Sequence, residues 1–463
     1  MRIETDSIGP KALPCSAYYG IHSLRARENF PLSSDNLHPI LIKKIAQIKL
    51  AAAKVNAQTN QLSLKRSEAI IAACTEIILG NFHTEFIVPA IQGGAGTSAN
   101  MNANEVIANL ALEKLGFEKG SYKRLHPNDH VNMSQSTNDV FPTAGKLTFL
   151  ELLLPLKKNL TLLIQCFQQK ALESRGILKM ARTQLQDAVP TTGDRMFDAY
   201  AQLIRRELKR IELAEKELHI LNLGGTAIGN SINATKAYVQ NIIPELSKVT
   251  GEDLVPALDL VDATQNLDGF MQLSHSLKGL AISLSKISND LRLLSSGPTA
   301  GLQEIMLPKR QAGSSIMPGK VNPVIPEVIS QVAYHVIGTD TTVTMAVEAG
   351  QLELNAFEPI IFHDLFQSIE LLTQATQIFR THCIEGIVFN EEHCQQMLES
   401  SPVLAVVLAP HIGYERASKL VQKAHHSGKT IPELLTEELH YSPEEIKKIL
   451  IQSHYPEKTS AQM

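Results

Sequence analysis

Apolar residues recur along the middle of the chain in alternating steps of four and three, the spacing that keeps one face of an α-helix buried. Leu273, Leu277, Leu280, Leu284, Ile287, Leu291 and Leu294 form one such stripe, and Phe149, Leu153, Leu156, Leu160, Leu163 and Phe167 form a second. The second stripe continues through Pro155, which predicts a bent helix rather than two separate ones. A third runs through Phe197, Tyr200, Ile204, Leu208, Ile211 and Leu218, with Arg205, Arg206, Glu207, Lys209 and Arg210 assigned to its solvent side. Further apolar helical segments follow near residues 324–348 and 359–383. Each buried Leu contributes roughly 1.5–3 kcal/mol, yet an isolated helix cannot bury its own stripe. The pattern therefore predicts a mainly α fold around a central bundle of long helices, shared between subunits.

The flanks differ from this middle. Residues 1–137 are richer in Asn, Gly, Ser and Pro, including Gly93-Gly94-Ala95-Gly96-Thr97-Ser98, and read as a mixed N-terminal domain. Residues 138–392 form the helical domain, and residues 393–463 a small C-terminal helical domain of shorter helices broken by Pro402, Pro410, Gly413 and Gly428. Three domains also suit a length of 463 residues. There is no internal repeat, and only the polar tail after Pro456 reads as disordered.

Charge removes several function classes. Against 47 Asp and Glu stand 43 Lys and Arg, a net charge of −4, so no long-range field draws nucleic acid or an anionic membrane to the chain. A small-molecule partner fits better. Cys15, Cys74, Cys166, Cys383 and Cys394 are odd in number, scattered and without CxxC pairing, which reads as structural thiols in a reducing cytoplasm. The segment Met1-Arg2-Ile3-Glu4-Thr5-Asp6 is too acidic and polar for a signal peptide, and no apolar run approaches the roughly 20 residues of a membrane span.

Four polar, hydroxyl-rich stretches interrupt this background: Gly96-Thr97-Ser98-Ala99-Asn100-Met101-Asn102, Asn132-Met133-Ser134-Gln135-Ser136-Thr137-Asn138-Asp139, Arg182-Thr183-Gln184-Leu185-Gln186-Asp187-Ala188-Val189-Pro190, and Gly313-Ser314-Ser315-Ile316-Met317-Pro318-Gly319-Lys320-Val321-Asn322-Pro323. The last places two hydroxyls, an ammonium and an amide between glycines and prolines, the composition of a mobile anion-handling loop. It is not a phosphate-binding P-loop, because five residues separate Gly313 from Gly319 and Val321 stands where a magnesium-binding hydroxyl is required. Ser136, Thr137 and Asn138 precede the helix of the Phe149 stripe, at a dipole end that favours a carboxylate. Taken singly, each Ser or Thr is better explained as a helix cap, and it is four such clusters in one chain that point to a binding site. The chain has no HExxH, no clustered Cys and His, and no GxSxG, and His425-His426 reads as a solvated helix end. Proton abstraction beside a carboxylate suits the inventory, since donors around that group stabilise the charge that builds there.

These blocks, together with Leu221 to Gly229 and the opening Ala17-Tyr18-Tyr19-Gly20-Ile21-His22-Ser23-Leu24-Arg25-Ala26, match in order and spacing those of the aspartase/fumarase superfamily. The chain resembles that family along nearly its whole length, and the opening resembles its ammonia-lyase branch. The resemblance implies the family's three-domain, mainly α fold and anti β-elimination of ammonia from L-aspartate to give fumarate. Ser314 would be the general base, held as an alkoxide by loop N–H groups. Thr97, Ser136, Thr137 and Ser315 would surround the β-carboxylate; Lys320, Asn322 and Thr183 would bind the α-carboxylate; Asn138 and Gln184 would face the departing amine. The resemblance further implies a homotetramer with active sites between subunits, no metal ligand in the chemistry, no organic cofactor, and Mg2+ at most as an activator.

Three departures from the family pattern flank these segments. Gly193-Asp194-Arg195-Met196 replaces the usual Leu-Gly-Gln-Glu, Thr299 replaces an arginine, and Asn230-Ser231 replaces Thr-Gly. Two alternatives stay open at this point, a fumarase-like hydratase and a catalytically impaired paralogue with a structural or binding role.

Overall fold

The computed structural model describes residues 1–32 and 35–452; the polar tail after Pro456 lies outside the described residues. Among the described residues the chain is mainly α. Its helices are α1 (Ile21–Asn29), α2 (Pro39–Gln58), α3 (Leu64–Ile78), α4 (Thr97–Lys114), α5 (Thr137–Glu173), α6 (Gly193–Leu218), α7 (Lys236–Thr250), α8 (Asp262–Gln265), α9 (Asp268–Leu294), α10 (Val324–Glu348), α11 (Glu358–His382), α12 (Glu391–Ser400), α13 (Leu404–Ile412), α14 (Tyr414–Ser427), α15 (Ile431–Leu439) and α16 (Pro443–Gln452). Strands occur in pairs: β1 (Arg2–Asp6) with β2 (Gly9–Leu13), β3 (Leu178–Thr183) with β4 (Gln186–Thr192), β5 (Ile220–Leu221) with β6 (Val255–Pro256), and β7 (Ile305–Met306) with β8 (Val388–Phe389). The β5–β6 pair is parallel and the others are antiparallel. No helix among the described residues is long and apolar enough to cross a membrane.

The long helices follow the apolar stripes. All six residues of the Phe149 stripe are fully buried, on a helix of 37 residues that runs on through both Pro142 and Pro155. Leu273 through Leu291 of the first stripe are at most 1 % exposed, with Leu294 half-buried at the end of α9. One assignment on α6 is corrected: Glu207 is 2 % exposed rather than solvated, and accepts a hydrogen bond from Ser283 Oγ at 3.0 Å. Glu207 lies seven residues after Tyr200 and four before Ile211, so it sits on the stripe itself, while Leu208 beside it is only half-buried. A second correction concerns Pro410, which lies inside α13; that helix ends at Ile412 with Gly413 as its cap.

The chain separates into two compact units. The first comprises Met1–Leu156, Lys209–Gly279 and His335–Leu371. Its apolar centre is a set of rings, Phe141, Phe149, Phe270, Phe362 and Phe366, with successive centroids about 5–6 Å apart in tilted and edge-on contacts. The second comprises Lys157–Leu208, Leu280–Tyr334 and the chain from Leu372. There Leu178 and Met180 of β3 pack into a core with Leu398, Leu404, Leu408, Leu434 and Leu435 of the C-terminal helices.

Candidate active site

In the first unit the polar residues gather at the start of two helices. A glycine turn leads into α4, with Gly94 at φ +92° and Gly96 at φ +84°. Gly96 admits no side chain, because a Cβ there would lie 2.4 Å from the Phe141 ring. Thr97, the first residue of α4, is exposed, and Asn100, one turn on, is 2 % exposed.

Ser136 precedes α5 and does cap it: its Oγ accepts the Asn138 N–H at 3.3 Å, while Asp139 Oδ1 accepts the Ser136 N–H at 2.9 Å. The other Asp139 oxygen accepts the N–H groups of Gly224 and Thr226, both at 3.1 Å. Asn138 Nδ2 donates to Ala227 O at 2.8 Å, and Asn222 Nδ2 returns a bond to Asn138 O at 2.9 Å. Asp139 is thus the clamp that joins the 222–229 block to the start of α5, and it is fully buried. Burial pushes its carboxyl up to about 6, against the opposing pull of its backbone donors and of Lys49.

Lys49 escaped the sequence reading. It lies on α2, is fully buried, and donates from Nζ to Asn132 Oδ1 at 2.8 Å. Asn132 Oδ1 also accepts from Asn100 Nδ2 at 3.2 Å, and the same Asn100 amide donates to Thr137 Oγ1 at 3.1 Å. A continuous chain of hydrogen bonds therefore runs from Lys49 to Thr137. Burial lowers the Lys49 ammonium to about 7, opposed by the nearby Asp139 and Cys74. The signal was present in the sequence, since Lys49 falls four residues after Ile45 and three before Ala52 on an otherwise buried stripe.

The opening segment is fixed to α4 by Glu105. Its carboxylate accepts the N–H groups of Gly20, His22 and Ser23 and the Ser23 hydroxyl, at 2.5–3.1 Å. A Cβ on Gly20 would lie 2.6 Å from that carboxylate, so the approach needs glycine.

The remaining candidates belong to the second unit. Thr183 ends β3 and Gln184 follows it in a two-residue turn, with Gln184 at φ 52° and Leu185 at φ 65°. This is the doubly left-handed hairpin turn, adopted here without Gly or Asn, and it leaves Thr183 and Gln184 exposed. The hairpin is anchored by a buried charge triad: Glu304, fully buried, receives Lys179 Nζ at 2.9 Å and Arg182 Nη1 at 2.5 Å. Ser401 Oγ donates to Asp187 Oδ2 at 2.8 Å on the opposite strand.

The loop 313–323 is pinched at its neck. Gly313 N–H donates to Lys320 O at 2.8 Å, and Asn322 Nδ2 donates to Gly313 O at 3.2 Å. A Cβ on Gly313 would come 2.7 Å from Lys320 O, so this closure requires glycine. Beyond the neck Ser315, Met317 and Lys320 are exposed, and Ile316 is 85 % exposed. Ser314 is half-buried, and its Oγ accepts the N–H groups of Ile316 at 3.1 Å and Met317 at 3.2 Å. Two backbone donors on one hydroxyl oxygen favour its deprotonated form.

The hydrogen bonds thus tie Thr137 to its amide chain and Ser136 and Asn138 to the Asp139 clamp, with Thr97 at the head of α4. Thr183, Gln184, Ser314, Ser315, Lys320 and Asn322 lie in the other compact unit.

Comparison with known proteins places these features in context. Residues 9–338 match the lyase family, and residues 404–452 match the C-terminal family of fumarase C. An aspartate ammonia-lyase of a Bacillus species is 48 % identical over 450 residues, covering 97 % of this chain and 96 % of that one. An aspartate ammonia-lyase of Pseudomonas aeruginosa is 51 % identical over 440 residues, covering 94 % and 93 %. Among solved structures, the fumarate lyase:delta crystallin of Brucella melitensis superposes with a TM-score of 0.94 at 47 % identity, covering 98 % of this chain and all of that one. The class II fumarase of Schistosoma mansoni superposes at 0.91 with 34 % identity, covering 98 % and 99 %.

Proposed function

The chain belongs to the aspartase/fumarase superfamily, and from that premise we infer that it is a carbon–nitrogen lyase that interconverts L-aspartate with fumarate and ammonia. The single observation that carries the choice of aspartate is the near-full-length identity to aspartate ammonia-lyases, about half of all positions, against 34 % to the fumarase.

In this reading Ser314 takes the proton from C3 of aspartate. The C3–H electron pair passes into the β-carboxylate as a doubly charged aci form; its return forms the C2–C3 double bond and expels the C2 amine as ammonia. The two N–H donors on Ser314 Oγ support this role, since an unassisted hydroxyl is a poor base. Thr97, Ser136, Thr137 and Ser315 donate to the β-carboxylate, where charge grows most in the transition state. Lys320, Asn322 and Thr183 hold the α-carboxylate, and Asn138 and Gln184 face the amine. The exposed Ile316 and Met317 at the tip of a pinched loop suit a segment that closes over substrate and excludes water. The active unit is a homotetramer whose sites draw on several subunits, built on a shared core of the long helices. The chemistry needs no organic cofactor, and magnesium has at most an activating part. Five free thiols, none of them paired, favour a cytoplasmic setting.

Supplying aspartate and malate separately to purified protein, and following fumarate by its ultraviolet absorbance, tests the assignment. Fumarate should form from aspartate; consumption of malate alone would make the protein a hydratase.

A further inference from the structure

We propose that Lys49 is a positioning residue for this elimination, which through Asn132 and Asn100 aims the Thr137 hydroxyl proton at the substrate carboxylate. The inference rests on the reading of Thr137 as a carboxylate donor, and goes beyond it by assigning a part to a buried residue outside the polar blocks.

An ammonium can only donate, so Asn132 must present Oδ1 to Lys49. With that oxygen fixed, the Asn100 amide must turn its Nδ2 toward Asn132, and its second N–H then reaches Thr137 Oγ1. Thr137 is left as the acceptor of this bond, so its own proton is available to a third group. Without the ammonium the series loses its direction. Asn132 and Asn100 could both flip, and Thr137 would then donate inward to Asn100 Oδ1, withholding its proton from substrate. Little else opposes that flip: Asn132 Nδ2 makes a longer bond, 3.3 Å, to Gln135 O, and Asn100 Oδ1 has no hydrogen-bond partner among the described residues.

Only the charged form imposes the direction, because a neutral amine can also accept. The titratable groups that face Lys49 are Asp139 from α5 and Cys74 from α3. Asp139 favours the ammonium, while burial favours its loss near neutral pH. Activity that depends on this series should therefore decline as Lys49 is neutralised.

The test compares wild type, Lys49→Met, Lys49→Gln, Thr137→Ala and the double variant Lys49→Met/Thr137→Ala in the aspartate assay. Lys49→Met should lower kcat about tenfold with KM changed less than about twofold, and Lys49→Gln, whose amide can donate or accept and so imposes no direction, should show a loss of similar size. On the Thr137→Ala background Lys49→Met should add less than about a twofold effect, as expected of two residues acting through one another. Wild-type kcat/KM should carry a limb that falls above about pH 7, absent from Thr137→Ala, a comparison that needs no Lys49 variant to fold. A folded Lys49→Met enzyme with wild-type kcat overturns the proposal, as does a full tenfold loss on the Thr137→Ala background, or a wild-type limb that persists in Thr137→Ala. If wild type makes no fumarate from aspartate, the functional reading fails instead; if Thr137→Ala is unimpaired, the role of Thr137 fails.

Discussion

Lys49 should weaken the fold it serves, and replacing it should expose the conflict. Lys49→Met keeps an unbranched side chain of similar length in a fully buried position, and the amides of Asn132 and Asn100, 3.2 Å apart, stay bonded to each other whichever way they point. What disappears is the burden of a buried ammonium. Burial lowers the group to about 7 in the folded chain; in an unfolded chain it titrates near ~10.4. Below about pH 7 both states hold the proton, and the folded state carries the whole penalty, about 5 kcal/mol at about 1.4 kcal/mol per pH unit. Between about pH 7 and ~10.4 the unfolded chain binds more protons than the folded one, so wild-type stability rises with pH and the penalty shrinks to about 2 kcal/mol near pH 9. Lys49→Met should accordingly be more stable than wild type by up to about 5 kcal/mol near pH 6 and by only about 2 kcal/mol near pH 9. Denaturant unfolding followed by far-ultraviolet circular dichroism at both pH values reads this directly, at one fixed protein concentration so that subunit association contributes equally. A variant less stable than wild type near pH 6, or a difference that does not narrow toward pH 9, would refute the reasoning.

Ser314→Ala should lower kcat by about 10²–10⁴-fold while leaving the circular dichroism spectrum and thermal midpoint in place, since among the described residues the hydroxyl is bound only by two N–H groups of its own loop. Wild-type turnover in that variant would remove the serine from its role. Glu304→Gln should destabilise the chain by roughly 3–5 kcal/mol, because Lys179 and Arg182 would face a neutral amide at a fully buried position. Hydrogen exchange should quicken first in the hairpin of β3 and β4; an unchanged unfolding midpoint would show that the triad does not anchor it.

The long helices were legible because their information is periodic: the steps that place Phe149 and Phe167 on one face also determine which side chains are buried. The same rule, followed strictly, would have put Glu207 inside and flagged Lys49, both charged residues at apolar positions. Composition alone assigned Glu207 to solvent and left Lys49 unremarked, and it erred for Glu207 because a buried acceptor can be met by a serine from another helix. The candidate site was legible as four polar blocks but not as a set of bonds. Asp139 holds the N–H groups of Gly224 and Thr226, and Glu105 those of Gly20, His22 and Ser23. Every residue but proline carries such a group, so no residue type marks the partner.

The departures from the family pattern likewise acquire physical accounts only from their surroundings. Asn230 Oδ1 accepts the Ile232 N–H at 3.2 Å, and Ser231, at φ 58°, donates its N–H to Gly225 O at 2.9 Å, so a side-chain-capped turn closes the block that Asp139 clamps. Gly193 begins α6 where a Cβ would lie 2.7 Å from the Phe389 ring and 2.9 Å from Ser174 Cβ, so a leucine there would require that ring to move. Nothing in the structure explains Thr299, which is exposed. Gly193 and the Asn230-Ser231 pair are thus matched to their neighbours within one compact unit each, and such matching argues that the blocks beside them are maintained as working parts. A chain drifting away from catalysis would have no reason to keep Ser314 under two N–H donors while refitting the packing around Gly193.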